Sequence, residues 1–337
     1  MSARRRILPV FIANEGCPHQ CVFCDQRRIT GSVKPVTGQD VLNAVKNACV
    51  PTENAELAFY GGSFTAIPAE RQTELLSAAA EARRLGLIRS IRLSTRPDAI
   101  DGETLDRLER FGVETVELGA QSMDDEVLRL SGRGHSAQDV ERAARLIKKR
   151  GFGLILQMMT GLPGDTKEKS LETALRLCAL RPDGVRIYPT VIIRETPLYE
   201  LWLRGVYREH SVDEAVDWCA ALLELFESAG IPVIRLGLNP TDELSGGEAA
   251  AGAYHPALGE LVKSRRLLDK ARAALQDARP GVRAALAVHP SCRSQLVGQK
   301  RQNVDRLLAE FALSSLDVVE DPSLSPGAVR RVSAADR

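Results

Sequence analysis

Along the first 240 residues, short apolar runs alternate with stretches whose apolar positions recur every three or four residues. The runs are ILPVFIA, ELAFYGG, SIRLST, TVELGAQS, GLILQMMTG and GVRIYPTVII. Runs of this length, closed by Gly, Ser, Thr or Pro, predict strands. Between them, residues 39–49, 69–85, 102–111, 124–130, 136–150 and 166–180 carry the helical period. Strict alternation predicts parallel βα units with right-handed crossovers. Six such units predict an α/β fold, a curved sheet or partial (β/α)6 barrel. Ligands then gather at the carboxyl ends of the strands. Residues 211–229 predict one more helix, and IPVIRLGL a last strand.

After Gly237 the rhythm stops. NPTDELSGGEAAAGAYHP reads as a loop, so a boundary is expected near residue 240. This gives a core over 1–240 and a small α+β or helical appendage over 241–337. The final DPSLSPGAVRRVSAADR is expected to fray.

Composition adds limits. The hydrophobic fraction of 44% and charged fraction of 26% are those of a soluble globular chain. No apolar run approaches the ~18 residues that span a membrane. MSARRRILPVFIANEG is basic and then apolar, but Pro9 interrupts it and no cleavage site follows, so it reads as a buried first strand. The expected location is the cytoplasm, with no membrane partner. The net charge of +1 hides an asymmetry. Residues 261–310 hold eleven Lys and Arg against four acids, a surplus of seven that leaves the rest of the chain at six negative. A basic end suggests a polyanionic partner; a solvated helix face explains it too.

Three of the seven cysteines, Cys17, Cys21 and Cys24, fall in one stretch, NEGCPHQCVFCDQRRITG. The scattered four, Cys49, Cys178, Cys219 and Cys292, read as small buried side chains. A structural zinc site needs four ligands, usually as two pairs, and no second CxxC is present. A redox dithiol needs two. An iron–sulfur cube usually takes four thiolates. With three, one iron is left open, as in catalytic rather than structural metal sites.

The C-x3-C-x2-C spacing, with aromatic Phe23 before the last cysteine, resembles the radical S-adenosylmethionine (SAM) superfamily. That resemblance implies a [4Fe–4S] cluster on Cys17, Cys21 and Cys24 whose open iron chelates SAM. It implies cleavage of SAM to a 5′-deoxyadenosyl radical, and a reductant such as flavodoxin or ferredoxin. It also places a glycine-rich turn at the end of the second strand, against the SAM amino group. Here that turn is YGGSF, giving Gly61, Gly62 and Ser63. Ser94, Thr95, Arg96, Glu117, Gln121 and Ser122 sit at the next strand ends. Arg96 suits the SAM carboxylate, and Gln121 or Ser122 suits the ribose. For each of them taken singly, an ordinary loop hydrogen bond is an equal explanation. Gln157, inside an apolar strand, needs a partner wherever it points. No catalytic side chain is singled out.

STRPDAID, ELGAQSMDDEVL, RGHSAQDVERA, QMMTGLPGDT and VRIYPTVIIRETPLYELWLRGVY are similar to the radical SAM domain of the catalytic subunit of Elongator, which modifies the wobble uridine of transfer RNA. The similarity runs from about Leu8 to Leu238. The chain departs from Elongator in its shorter first cysteine spacing. Fewer than a hundred residues follow residue 240, with no glycine-rich acetyl-CoA loop, so acetyl-CoA chemistry is not expected. Residues 283–321 read strand, helix, GQKR, helix, strand, an order that resembles a KH RNA-binding module. Gly298 fits its first loop glycine, and Arg301 replaces the second. A helical cap over the barrel fits that order equally. The expected function is RNA modification, with transfer RNA as substrate. The alternatives are a small-molecule enzyme like coproporphyrinogen oxidase, and a non-catalytic RNA-binding iron–sulfur protein.

Overall fold

A computed structural model describes residues 6–12, 15–25, 35–48, 54–241 and 244–332. The chain divides into two compact units, Met1–Ala215 with Leu222–Pro256, and Val216–Ala221 with Ala257–Arg337.

The first unit follows the alternation. Its elements run β1 (Arg6–Phe11), α1 (Gly38–Lys46), β2 (Ala55–Tyr60), α2 (Ala69–Arg84), β3 (Ser90–Thr95), α3 (Gly102–Arg110) and β4 (Val113–Gln121). They continue through α4 (Asp125–Leu130), α5 (Ala137–Lys149), β5 (Gly153–Thr160), α6 (Lys167–Ala179) and β6 (Gly184–Pro189). Next come β7 (Val191–Ile193), α7 (Pro197–Leu203), α8 (Val212–Ser228), β8 (Val233–Leu236) and β9 (Ala249–Gly252). Six parallel strands and β8 form one seven-stranded sheet in the order β1-β2-β3-β4-β5-β6-β8, the partial barrel expected. Side-chain caps start many of the helices: Thr37 and Ser136 each close a capping box, and Asp101 and Thr166 accept from the first turn.

Three local readings differ. GVRIYPTVII is two strands, not one, because Thr190 turns the chain out of the large sheet. There β7 pairs antiparallel with β9, so part of the expected loop after residue 240 is a strand. Its small residues allow this: a Cβ at Gly252 would stand 2.9 Å from the Thr190 carbonyl oxygen. PLYELWL forms helix α7, with Thr196 as its N-cap and Pro197 in its first turn.

The second unit contains α9 (Leu258–Leu275), β10 (Arg283–Val288), α10 (Arg293–Val297), α11 (Gln302–Glu310), β11 (Ser315–Glu320) and β12 (Val329–Arg331). Its sheet runs β11-β10-β12. Within the final segment expected to fray, Val329–Arg331 instead pairs antiparallel with β10, and residues 333–337 lie outside the described residues. Leu268, Leu275, Leu286, Val288, Leu296, Val304 and Leu307 make a separate apolar core. No helix among the described residues is long and apolar enough to cross a membrane.

Candidate functional site

A cavity of about 1240 Å³ opens at the carboxyl ends of the first unit's strands. Cys17, Cys21, Cys24, Gly61, Gly62, Ser63, Ser94, Arg96, Gln121 and Gln157 all line it. The fold therefore gathers these ten at one place, whereas Ser122, also weighed for the ribose, is buried beside Thr173 and accepts from Asp124 N–H.

The cysteine loop leaves β1 and is locked to the turn after β2. Ile12 N–H donates to the Tyr60 carbonyl at 2.8 Å, and Ser63 N–H to that of Glu15 at 2.9 Å. Glycines make this contact possible. A Cβ at Gly62 would stand 2.5 Å from both the Ile12 and Glu15 carbonyl oxygens. A Cβ at Gly16 would stand 2.3 Å from that of Ser63. Gly62 was expected to make room for a ligand; its own Cβ direction instead points at the cysteine loop. Gly61 supplies the positive φ of the turn, at 89°.

From the other side, Val22 N–H donates to the Ser131 carbonyl at 3.1 Å. Val22 and Phe23 pack with Leu198, Tyr199 and Trp202 of α7, and Leu198 N–H donates to the Val22 carbonyl at 2.8 Å. Helix α7, within one of the segments similar to Elongator, thus braces the cysteine loop. Cys17 is exposed, Cys21 buried and Cys24 intermediate. Although Cys17 reaches solvent, partial desolvation by the surrounding loop pushes its thiol above its ordinary value, with a smaller push from Cys21, against a hydrogen bond with Ser63 and the charges of Arg96 and Arg133.

Gln121 ends β4 at a bulge, with φ of 64°. It is 9% exposed, and its Oε1 has no hydrogen-bond partner among the described residues. A polar atom so buried costs ~1–3 kcal/mol unless a ligand reaches it. Gly119 makes room for this arrangement, since a Cβ there would stand 2.9 Å from Gln121 Nε2. Arg96 spends Nε and Nη2 on Asp98, at 3.0 and 3.1 Å, and Nη2 also on the Arg133 carbonyl. Its Nη1 has no partner among the described residues.

Under the cavity lies a buried ion cluster. Glu117, fully buried, accepts from Tyr60 at 2.7 Å, Arg92 at 2.9 Å and Gln157 at 2.9 Å, and pairs with Arg186 at 2.8 Å. Burial would raise its pKa, but Arg186 and Arg92 hold it below the usual carboxylate range. Because Gln157 donates its amide N–H to Glu117, its amide oxygen is the end left to accept. Sequence reasoning passed over Tyr60, Arg92, Arg133 and Arg186. The available signal was a run of arginines and a glutamate at inward strand positions, and an arginine between two glycines in SGRGH.

No three or more His, Cys, Asp and Glu side chains among the described residues gather as they would around one metal ion. Ligands of an iron–sulfur cube bind separate irons and stand further apart. The donor set fits such a cube: three cysteines on one loop, a guanidinium beside Cys21, and unpartnered polar atoms facing the same space. Cys49 lies outside the described residues.

Part of the second unit's positive charge is paired. Lys263 pairs with Glu260, Arg265 with Asp217 and Asp269, and Arg272 with Asp269 and Glu310. Lys300 and Arg301 sit on the exposed GQKR turn with φ of 47° and 65°. Arg301 adopts the left-handed conformation that glycine favours.

A family model described as the radical SAM superfamily matches residues 11–177, and one described as the radical SAM C-terminal domain matches 182–267. The tRNA uridine(34) acetyltransferase of Methanocaldococcus infernus is 32% identical over 255 residues, covering 63% of this chain and 48% of that protein. Elongator complex protein 3 of Homo sapiens is 31% identical over 193 residues, covering 51% of this chain and 35% of that protein. The chain therefore spans about half the length, or less, of these two relatives. The solved archaeal Methanocaldococcus infernus Elp3 with an N-terminal deletion superposes with a TM-score of 0.60 at 23% identity. It covers 78% of this chain and 63% of that one, and shows the likeness of fold.

Proposed function

The chain belongs to the radical SAM superfamily of enzymes, and from that premise we propose that it modifies a nucleoside of transfer RNA, with Cys17, Cys21 and Cys24 holding a [4Fe–4S] cluster. When bound, the cluster supplies the electron that splits SAM into methionine and a 5′-deoxyadenosyl radical. The observation that carries the reading is the convergence of all ten residues on one cavity.

The chain's own groups complement SAM. Arg96 Nη1, an unpartnered donor, suits its carboxylate. Gln121 Oε1, an unpartnered acceptor, suits a ribose hydroxyl or the ammonium group. Ser94 and the Gln157 amide oxygen add polar ends along the same wall. The backbone of Gly61, Gly62 and Ser63 borders the methionine end. At about 1240 Å³ the cavity exceeds the ~300–1,000 Å³ of a site for one small ligand. The surplus accommodates a second reactant, such as a base taken out of its stack.

Residues 1–240 act as the radical core in this reading, and 241–337 contact RNA, with Lys300 and Arg301 against phosphate. A flavodoxin or ferredoxin supplies electrons, in the cytoplasm. The acetyltransferase in the archaeal relative's name is left with that longer protein.

The test is anaerobic reconstitution. The protein takes up about four irons and, once reduced, converts SAM to 5′-deoxyadenosine; alanine at Cys17, Cys21 or Cys24 removes both properties. Nucleosides of transfer RNA from cells with and without the gene then differ by one modification. Identical nucleosides would defeat the RNA reading. A second reading, a small-molecule substrate in the same cavity, is favoured by the pairing of some of the second unit's cations. Absence of salt-dependent binding to transfer RNA would select it.

A further inference from the structure

Arg133 stands apart from the residues that sequence selected. Its Nη1 donates to the Cys21 sulfur at 3.3 Å, and its Nη2 to the Gly119 carbonyl at 2.7 Å. Both partners in the sulfur contact are buried, Arg133 at 7% exposure and Cys21 at 8%. The backbone on either side is locked onto the cysteine loop. Gly132 and Gly134 have φ of 65° and 69°. A Cβ at Gly132 would lie 3.0 Å from the Gln20 carbonyl oxygen, and one at Gly134 would lie 2.3 Å from the His19 ring. A Cβ at Gly119 would lie 3.2 Å from Arg133 Nη2. Three glycines therefore serve to bring one guanidinium beside one cysteine sulfur and keep it there.

Resting on the reading that Cys21 is a cluster ligand, we propose that Arg133 is a positioning residue that sets the reduction potential of the cluster. Its N–H···S hydrogen bond and its fixed positive charge stabilise the state that carries one more electron. Hydrogen bonds to the sulfurs and net charge are established determinants of such potentials. Burial keeps the interaction from being screened by water. The step is a one-electron transfer from a low-potential donor, which is oxidised, to the cluster, which is reduced. No proton moves and no bond to Arg133 forms or breaks.

The experiment uses the full chain as wild type, Arg133→Lys, Arg133→Gln and Arg133→Met, each reconstituted anaerobically. Iron content is measured, and then the potential, by dithionite titration followed by electron paramagnetic resonance without SAM. At the potential where the wild type is half reduced, Arg133→Met is expected to show an about tenfold lower reduced-to-oxidised ratio, a shift of about 59 mV for one electron. Arg133→Lys, keeping charge, and Arg133→Gln, keeping an N–H donor, fall between. If Met does not load iron, Lys and Gln decide by the same downward shift. Equal potentials in all loaded forms overturn the proposal, and would leave Arg133 as a contact for a ligand's carboxylate. Iron loss as complete in Lys as in Met also overturns it, because Arg133 would then only fold the loop. A wild type that binds no cluster sinks the site reading instead.

Discussion

Positive charge is used in two different ways in this chain. In the second unit, arginines and lysines are dense in sequence, and nearby acids take up some of them: Arg272 joins Asp269 and Glu310, and Lys263 joins Glu260. In the first unit, Arg92, Arg96, Arg133 and Arg186 are scattered through a part of the chain with net negative charge. All four side chains are largely shielded from solvent; Arg96, Arg133 and Arg186 line the cavity, and Arg92 joins Arg186 on Glu117 beneath it. Summed charge points to the second unit and says nothing of the buried arginines of the first. What matters is desolvation: a buried guanidinium with a free N–H acts on a ligand, whereas an exposed one is screened within about 10 Å.

The harshest test of this contrast is at the glycine contact. Gly62→Val drives its side chain into two carbonyl oxygens of the cysteine loop. Expected is loss of most of the iron as well as SAM binding, measured by iron assay and equilibrium dialysis. Normal iron with weakened SAM binding would show that the turn meets the ligand first. By contrast, serine at Cys178, Cys219 or Cys292 leaves iron content intact.

A matched pair of glutamates compares the units directly. Glu117→Ala strands Arg92 and Arg186 in the buried cluster and is expected to cost ~3–5 kcal/mol. Glu310→Ala removes one of the two acids on the partly exposed Arg272 and costs at most ~1 kcal/mol. Denaturant titration of both variants checks this; equal costs would erase the distinction between the units.

The third test is pH. Burial holds His135 neutral, with its pKa lowered to about 4, and His210 likewise to about 4. Unfolded histidines protonate near 6.5, so the unfolded state gains protons first as pH falls. Stability is therefore lost between pH ~6.5 and 4, by up to ~3 kcal/mol for each histidine. Asp165, raised by burial to about 6, works oppositely: stability rises as pH falls through its range. Denaturation midpoints at pH 7 and 4.5 should differ less in His135→Gln than in wild type. An unchanged difference would place the pH sensitivity elsewhere.

The smallest effect is expected on the exposed turn. Replacing Lys300 and Arg301 by Ala should weaken transfer RNA binding and reduce the slope of log affinity against log salt by about 2. Arg301→Gly, which suits the left-handed φ, should lose binding without losing stability. Unchanged slopes would remove the turn from the RNA surface.

Much of this was legible beforehand, for physical reasons. Period 2 against period 3.6, with capping residues at Thr37, Asp101, Ser136 and Thr166, marked most elements of the first unit closely. Parallel topology then dictated that Cys17, Gly62, Arg96 and Gln121 would meet. Arg133 was illegible because its partner is 112 residues away in sequence and its placement depends on two left-handed glycines. Helix α7 was missed because its seven residues are too few to show a period, and β9 because Ala-Ala-Ala-Gly carries no alternation.

The bracing of the cysteine loop also bears on when the site can assemble. Val22 is held by Ser131 and by Leu198, so the loop reaches its final form only after Leu198 has been synthesised and docked. At ~5–20 residues per second, the intervening stretch takes on the order of 10–35 s to emerge. Three thiols are made early and sit unprotected for that interval. Iron delivery is thus an event that follows synthesis of α7, and nascent chains stalled before α7 should capture little of it while being the most easily oxidised.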